Sequence, residues 1–268
     1  MFRISRLWSD QPLVTVLRLE GVIGGGGRLG GASLSDKELA PLVERAFTRG
    51  KPKAVALAIN SPGGSPAQSA LITARIRRLA EEEKVPVYAF CEDVAASGGY
   101  WLATAADEIY VDANSILGSI GVISAGFGLD QLIERWGIER RVYTAGEDKS
   151  MLDPFRPERP RDIERLKDLQ ATIHKNFIHQ VKSRRGARLG DGDLFTGDIF
   201  VGEAAVATGL ADGIGHLVPV MKQKFGPKTR FSVSRPRRGL WSRLGGVELA
   251  DGMISTLEMR AHWARYGL

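Results

Sequence analysis

Short apolar runs and amphipathic stretches alternate along much of the chain. Residues 54–59 and 85–90 are apolar runs of the length expected for strands that are buried on both faces. Between them, residues 67–83 place apolar side chains at every third or fourth position, which is typical of an amphipathic helix. This alternation predicts βαβ units, and therefore a parallel sheet with helices on its faces.

The same patterns predict further elements before and after this unit. Ser35, followed by Glu38, fits a capping box at the start of a helix. Strands are expected over residues 13–23, 108–111 and 140–144. Helices are expected over residues 35–49, 97–106, 129–136, 160–184 and 202–208. An α/β domain is therefore the expected fold class.

The pattern weakens after Gly226. Residues 235–238 are rich in arginine and resemble a linker, and residues 249–261 place apolar side chains on one face of a terminal helix. The expected parts are an N-terminal extension (1–12), a main domain (13–228), and a basic linker with an amphipathic C-terminal helical tail (229–268).

Composition sets broad limits on what the protein does. The chain has 268 residues, 43% of them hydrophobic and 25% charged, which is ordinary for a globular domain. The formal net charge is +6, but much of the basic excess lies near the C-terminus, so we expect no nucleic-acid partner. The single cysteine, Cys91, excludes an internal disulfide and a cysteine-rich metal site, and is expected to be a small buried residue.

Two features bear on the location of the protein. No apolar stretch approaches the about 18 residues of a membrane span, and the first residues lack the pattern of a signal peptide, so a cytoplasmic protein is expected. In the tail, arginines are interspersed with leucines and Trp241. The tail is expected to pack on another protomer, and the alternative is a peripheral contact with an anionic surface such as the inner membrane.

The candidate chemistry centres on Ser97, which lies among small residues in Ala-Ala-Ser-Gly-Gly-Tyr, directly after a predicted strand. A serine in this position is typical of a nucleophile presented at the start of a helix. Gly63 and Gly64 follow the preceding strand, and adjacent parallel strands bring their carboxyl ends together. Backbone N–H groups of this turn and of Gly98 can then form an oxyanion hole, although the glycine pair alone fits an ordinary tight turn better.

The base that would activate Ser97 is less obvious from the residues. His174 and His179 lie on a charged predicted helix and are expected to be solvated, and His216 follows a late turn. Lys149 lies in a loop after a predicted strand, where a lone lysine is ordinarily a solvated charge. The residues by themselves leave the identity of the base open.

Several motifs, taken together, resemble the signal peptide peptidase A / protease IV family of serine peptidases. They are Asn-Ser-Pro-Gly-Gly (60–64), Ala-Ala-Ser-Gly-Gly-Tyr (95–100), Gly-Ser-Ile-Gly-Val (118–122), Lys-Ser with Asp-Pro-Phe (149–155), and two later motifs (195–197 and 204–212). They occur in order and extend over most of the chain. The resemblance implies the fold shared by the Clp protease proteolytic subunit and crotonase.

The resemblance also implies a role for each motif residue. Ser97 would be the nucleophile and Lys149 the general base of a Ser–Lys dyad, and Ser119 would orient the lysine amine. The family cleaves peptide bonds through an acyl-enzyme, and no cofactor or metal is implied. The remaining positions are those of the oxyanion hole, which are Gly64 and Gly98 as N–H donors and Gly63 as the residue that shapes the turn.

In the family, the lysine reaches the serine of a neighbouring protomer, so a homo-oligomeric ring with shared sites is expected. Its substrates would be apolar, unfolded or signal-peptide-like polypeptides, with residues 116–117 and 120–123 walling the cleft. Burial lowers the pKa of a lysine from about 10.4 by as much as about 5 units, which a lysine base requires. We therefore expect Lys149 to be buried at a protomer interface, with Glu147 and Asp148 facing solvent.

Two alternatives from other classes of protein stay open. One is a crotonase-type acyl-CoA enzyme, which also uses paired backbone N–H groups but relies on carboxylates near the acyl chain. The other is a non-catalytic scaffold that kept the fold. Retained activity in Ser97→Ala would favour the first, and labelling of Ser97 by a serine-directed phosphonate would exclude the second.

Overall fold

An eight-stranded, mostly parallel sheet forms the centre of the protein. The structure, a computed structural model, describes residues 11–24, 34–146, 148–234 and 263–267. The strands are β1 (Leu13–Glu20), β2 (Ala54–Ser61), β3 (Val87–Ala96), β4 (Glu108–Val111), β5 (Ile116–Gly118), β6 (Ile199–Val201), β7 (Gly213–Ile214) and β8 (Arg230–Ser234). The helices are α1 (Asp36–Thr48), α2 (Pro66–Glu83), α3 (Gly98–Ala103), α4 (Asp130–Arg135), α5 (Pro160–Arg185), α6 (Glu203–Ala207) and α7 (Leu217–Phe225).

The strand order places β3 in the middle of the sheet. Along the main path the order is β6-β5-β3-β2-β1-β8, and β4 pairs with both β3 and β7. The first half of β3 pairs with β4, whereas its last residues pair with β5, so β3 runs past one neighbour and on to another. The pairs along β1, β2, β3 and β5 are parallel, and β5 pairs with β6 in the antiparallel sense. The carboxyl ends of β2, β3 and β5 therefore meet at one edge.

Helices cover both faces of this sheet. On one face, α1, α2 and α3 pack around a large apolar core that includes the fully buried Leu57, Ile72 and Tyr100. On the other face, a smaller core contains Phe90 of β3 and Met221 of α7. The central strands are therefore buried on both faces, which explains why they appear in the sequence as continuous apolar runs. This arrangement confirms the predicted α/β class.

The C-terminal half of the long helix α5 attaches to the sheet domain. Phe177 stacks on Trp101 of α3, with ring centroids 4.8 Å apart. Eight positions further along, Arg185 donates hydrogen bonds to both carboxylate oxygens of Asp212, at 2.8 and 3.1 Å. The Arg185 side chain is 1% exposed and that of Asp212 is 19% exposed, so this ion pair is largely removed from water.

This ion pair should make stability depend on pH. Burial works to raise the pKa of Asp212, but the hydrogen bonds from Arg185 and from the Ile109 N–H, together with the nearby arginine charges, hold it below its ordinary value. A carboxyl group of this kind stabilises the fold at neutral pH and loses that contribution as the pH falls below about 4.

Asp212→Asn is expected to lower the free energy of unfolding by about 3 kcal/mol at neutral pH, because it leaves the buried guanidinium of Arg185 without its charge partner. The difference from the native protein should shrink as the pH is lowered below about 4, where the native carboxyl group is itself protonated. Urea unfolding across this pH range measures both quantities. Asp191→Asn, at an exposed position, is the control and should change little. A loss that does not vary with pH would contradict the assignment.

The structure departs from the predicted elements at several positions. Strand β1 ends at Glu20, earlier than predicted, and β5, β6, β7 and α7 were not predicted. Residues 140–144, predicted as a strand, have no regular structure and are mostly exposed, because no described strand of the chain lies beside them. Helix α3 is shorter than predicted, and β3 is longer, since it continues to Ala96. Residues 230–234, assigned to the tail from the sequence, form β8 and pair with β1.

The predicted linker at 235–238, the arginine-rich part of the tail and the terminal helix over 249–261 lie outside the described residues. Within the described ranges, none of the helices combines the length and the apolar character that crossing a bilayer requires.

Candidate active site

Ser97 occupies a sharp turn between β3 and α3. Its backbone has φ 52° and ψ −124°, a combination that non-glycine residues rarely adopt and that costs energy to maintain. The turn is held by a hydrogen bond of 2.8 Å from the Ser97 N–H to the carbonyl of Gly118 at the end of β5. Although Ser97 is the N-cap residue of α3, its hydroxyl makes no capping hydrogen bond. The hydroxyl is therefore not used to cap the helix.

The glycine turn after β2 packs directly against this serine. Gly63 has φ 103°, and a Cβ atom there would lie 2.8 Å from both the Gly98 nitrogen and the Ser97 Cβ. Gly64 has φ 138°, and a Cβ atom there would overlap the carbonyl oxygen of Ile23. Both positions therefore require glycine for two reasons, the positive φ and the close approach of neighbouring atoms.

Hydrogen bonds fix the orientation of the glycine turn. The Ile23 N–H donates to the Gly63 carbonyl, and the Ser65 N–H donates to the Ile23 carbonyl, both at 2.8 Å. The buried Ser61 hydroxyl accepts from the Gly63 N–H at 3.2 Å. The N–H of the next residue, Gly64, donates to no acceptor among the described residues.

The second free donor lies at the start of α3. The Gly98 N–H, like that of Gly64, has no acceptor among the described residues, and Gly98 lies against Gly63. Two unengaged backbone donors therefore lie beside Ser97, at the edge where the sequence places the oxyanion hole.

Ser119 is a further predicted residue that the fold brings to this edge. It follows Gly118, which pairs with Ala96 across β5 and β3. Ser119 is 8% exposed and has φ 48°, and its N–H donates to the Asp198 carbonyl at 2.6 Å. Ser97 and Ser119 thus directly follow the neighbouring strands β3 and β5 and are held there by hydrogen bonds to the carbonyls of Gly118 and Asp198.

Lys149 lies apart from these residues in the single chain. It is exposed, in a turn attached to the N-terminal end of α5 through a hydrogen bond from the Leu152 N–H to Asp162. The loop after Ser119 contacts α5 at His174, whose Nε2 lies 2.9 Å from the Ile120 carbonyl oxygen. Asp162 and His174 are twelve residues apart, which corresponds to about 18 Å along a helix axis. The helix therefore separates the Lys149 turn from the two serines.

The acidic residues beside Lys149 were expected to face solvent. Asp148 instead forms ion pairs with Arg165, at 2.6 Å, and with Arg161, at 3.5 Å, and its side chain is only 26% exposed. This prediction was wrong for Asp148 because α5 presents arginines to the turn, and Glu147 lies outside the described residues.

The segment that connects Ser119 to α5 exposes large apolar side chains. We call residues 122–158 the arm. Exposure is 85% for Phe127, 74% for Trp136 and 91% for Tyr143. Ile123, Leu132 and Ile138 are also more than half exposed. A segment that exposes this many large apolar side chains is typical of an interaction surface.

The predicted cleft walls are divided between the core and the surface. Leu117 and Ile120 are fully buried in the core, whereas Ile123 is 66% exposed. Ile116 and Val122 are half-buried, so the two runs pass from the core to the surface.

One of the described histidines, His174, has different surroundings from those predicted. His179 is exposed, as expected, but His174 is half-buried against the loop after Ser119. His216 pairs with Asp112 at 2.8 Å, and this hydrogen bond, with others from Asn114, lowers the pKa of Asp112 to about 2. The His174 contact was missed because it depends on a carbonyl that is distant in sequence.

The His216–Asp112 pair lines a cavity of about 350 Å³ that also includes Cys91. Burial raises the pKa of the Cys91 thiol to about 12, so it is protonated at neutral pH and is no nucleophile. This confirms Cys91 as a small buried residue. Among the described residues, no group of three or more histidine, cysteine or acidic side chains is arranged to hold a metal ion.

Comparisons with known proteins agree with the fold and the motifs. The sequence profile of Peptidase family S49 matches residues 80–224. A Brucella melitensis protein named Na(+)/H(+) antiporter NhaA is 48% identical over 95% of this chain, which covers 37% of that protein. The Arabidopsis thaliana "Serine protease SPPA, chloroplastic" is 30% identical over 81% of this chain, which covers 33% of that protein. The chain thus spans about a third of the length of these relatives.

Solved structures show the same fold at low sequence identity. A "1510-N membrane-bound stomatin-specific protease", solved in complex with a substrate peptide, matches with a TM-score of 0.54 and 14% identity over 93% of this chain and 99% of that chain. A second structure of that protease gives a TM-score of 0.53. These matches confirm the predicted Clp protease/crotonase-like fold. The family profile, which matches residues 80–224, shows that the chain belongs to Peptidase family S49, the serine peptidases that include signal peptide peptidase A and protease 4.

Proposed function

We propose that this chain is a serine endopeptidase in which Ser97 is the nucleophile and Lys149 the general base. The observation that carries the proposal is the turn at Ser97, whose uncapped hydroxyl lies beside the unengaged N–H groups of Gly64 and Gly98. Strained turns of this kind between a strand and a helix present nucleophilic serines in hydrolases, and paired N–H groups stabilise the oxyanion that forms during acyl transfer.

The reaction follows from these positions. Neutral Lys149 Nζ accepts the proton of the Ser97 hydroxyl as the oxygen attacks the peptide carbonyl carbon, and the carbonyl electron pair moves onto the oxyanion. The N–H groups of Gly64 and Gly98 hold that oxyanion. When the C–N bond breaks, the lysine returns the proton to the leaving amine. Water then attacks the acyl carbon while the same lysine takes its proton. When the C–O bond to Ser97 breaks, the lysine returns that proton to Ser97 Oγ, which releases the carboxylic acid product and restores both residues.

The base is proposed to come from a neighbouring protomer of a homo-oligomeric ring. Within one chain the Lys149 turn is separated from His174 and Ser119 by about 18 Å of helix. Lys149 is exposed in the single chain, and burial against a second copy would disfavour its charged form. The exposed apolar residues of the arm supply a surface for such a copy. Ser119 is then positioned to orient the incoming amine.

Peptides and proteins with apolar, unfolded or signal-peptide-like segments are the proposed substrates. The stomatin-specific protease of the same fold was solved both as a serine-to-alanine variant and as a lysine-to-alanine variant with a substrate peptide, which supports peptide substrates and a Ser–Lys pair here. The proposed reaction uses only residues of the protein and water. The protein is proposed to be cytoplasmic. Its C-terminal tail (229–268) is proposed to contact another protomer or the surface of the inner membrane.

Labelling of Ser97 by a serine-directed phosphonate tests this proposal. The native protein should be labelled at Ser97, as located by peptide mass, and should lose its peptidase activity in proportion. Lys149→Ala should be labelled at least about a hundredfold more slowly, since the hydroxyl lacks its base. Labelling of Lys149→Ala at the native rate would contradict the assignment of the base, and the absence of label in the native oligomer would contradict that of the nucleophile.

A further inference from the structure

We infer that Asp162 is a positioning residue for the proposed base, because its carboxylate fixes the turn that carries Lys149. This inference rests on the proposed function. Asp162 Oδ2 accepts a hydrogen bond from the Leu152 N–H at 3.3 Å. Arg159 holds the same carboxylate through two hydrogen bonds of 2.9 Å, one to each oxygen. The carboxylate therefore links the end of the Lys149 turn to the first turn of α5.

The burial of Asp162 is unusual for its helix. Asp162 is 4% exposed, whereas Glu164 and Asp168 on the same helix are exposed. A buried charge is unfavourable unless ion pairs and hydrogen bonds compensate for it. Here Arg159 supplies the opposite charge and Leu152 supplies a backbone donor. An apolar residue at this position could not accept the hydrogen bond from the Leu152 N–H.

The Asp162 carboxylate holds Leu152 in an unusual backbone conformation. Leu152 has φ 54°, in the left-handed region that leucine rarely adopts. Such a conformation persists only where the surroundings impose it. The hydrogen bond from Leu152 to Asp162 is one such constraint, three residues beyond Lys149.

A second connection to α5 precedes the lysine. Asp148 pairs with Arg165, at 2.6 Å. The turn itself is closed by a hydrogen bond from the Met151 N–H to the Asp148 carbonyl. Lys149 is therefore bracketed by two connections to α5, one through Asp148 and one through Leu152.

Helix α5 contacts both the Lys149 turn and the elements that carry the two serines. The same helix stacks Phe177 on Trp101 of the helix that begins after Ser97, and His174 contacts the loop after Ser119. One rigid element therefore sets where a protomer offers its lysine relative to its own serine. In a ring with shared sites this fixes the lysine relative to the next serine as well. A displacement of about 1 Å can lower a catalytic rate about a hundredfold.

Asp162→Asn tests the inference because it keeps the size of the side chain and removes its charge. We expect kcat for a peptide substrate to fall about tenfold to a hundredfold while KM changes little, since only the placement of the base is altered. The matched control is Asp168→Asn, an exposed position on the same helix, which should behave as the native protein.

A double-mutant cycle with Lys149→Ala separates positioning from general structural damage. With an aryl ester substrate, whose residual hydrolysis remains measurable, Asp162→Asn should cause no further loss in the Lys149→Ala background. A loss of the same factor in both backgrounds, or an unchanged kcat in Asp162→Asn, would overturn the inference. If Lys149→Ala alone retained full activity, the proposed function would be wrong instead.

Arg165→Gln provides a second route if Asp162→Asn fails to fold. Arg165 is exposed, and its removal weakens the other connection, through Asp148. We expect a smaller fall in kcat, about threefold to tenfold, that also disappears in the Lys149→Ala background. An unchanged kcat, or a loss that persists in that background, would count against the role of the bracketed turn.

Discussion

Replacing Ser97 with alanine is expected to lower kcat/KM for peptide hydrolysis by about a thousandfold or more, because it removes the proposed nucleophile. The remaining residues of the site should keep their places, since the turn is fixed by the hydrogen bond between the Ser97 N–H and the Gly118 carbonyl. Hydrolysis of an unfolded protein substrate, followed by the release of new amino termini, measures the effect.

Ser97→Gly is the informative companion variant. It removes the same hydroxyl, so activity should be lost to the same extent, but glycine tolerates the backbone φ of 52° at this turn. Ser97→Gly should therefore be more stable than Ser97→Ala, by about 1 kcal/mol in urea unfolding. Equal stability of the two variants would indicate that the turn is not strained, and substantial activity in either would remove Ser97 from the role of nucleophile.

Gly63→Ala is expected to lower kcat/KM by about a hundredfold or more. A methyl group at this position would lie 2.8 Å from the Gly98 nitrogen and from the Ser97 Cβ, so the glycine turn or the start of α3 must move. Either movement displaces an oxyanion donor. Steady-state kinetics together with thermal unfolding measure activity and stability on the same preparation.

Gly226→Ala is the matched control for this substitution. Gly226 has φ 97°, close to the 103° of Gly63, but a Cβ atom there would have no neighbour within 4 Å. Gly226→Ala should lower the free energy of unfolding, because alanine disfavours a positive φ, and it should leave activity unchanged. Activity of Gly63→Ala within a few-fold of the native value would contradict the proposed packing of the oxyanion hole.

The pattern of the sequence was sufficient to predict the part of the site that parallel strands assemble. Buried strands appear as apolar runs, and the residues that follow them must meet at one edge of a parallel sheet. The proximity of Gly63 and Ser97 is therefore a consequence of strand order. The pattern did not predict β5, which brings Ser119 to the same edge, and Ser119 was a candidate only through the family resemblance. The helix spanning residues 160–184 was equally clear from its pattern, and the structure extends it by one residue to Arg185.

The rest of the fold and of the candidate site depends on contacts between residues that are distant in sequence, which sequence patterns do not encode. Residues 140–144 have a strand-like composition, but no described strand pairs with them, and Tyr143 is exposed. The buried Asp162 appeared as one more charge on a charged helix. Its spacing from Arg159 was the available signal, since a pair three residues apart at a helix start can form an ion pair.

The central claim is that Ser97 of one protomer and Lys149 of another form each active site. The most direct measurement mixes inactive Ser97→Ala and inactive Lys149→Ala proteins after dissociating and reassociating the oligomer. In a random equimolar ring, about a quarter of the shared sites would pair an intact serine with an intact lysine, so about a quarter of the native peptidase activity should return. A mixture that stays as inactive as its separate components, although mass measurement shows mixed oligomers, would contradict the claim.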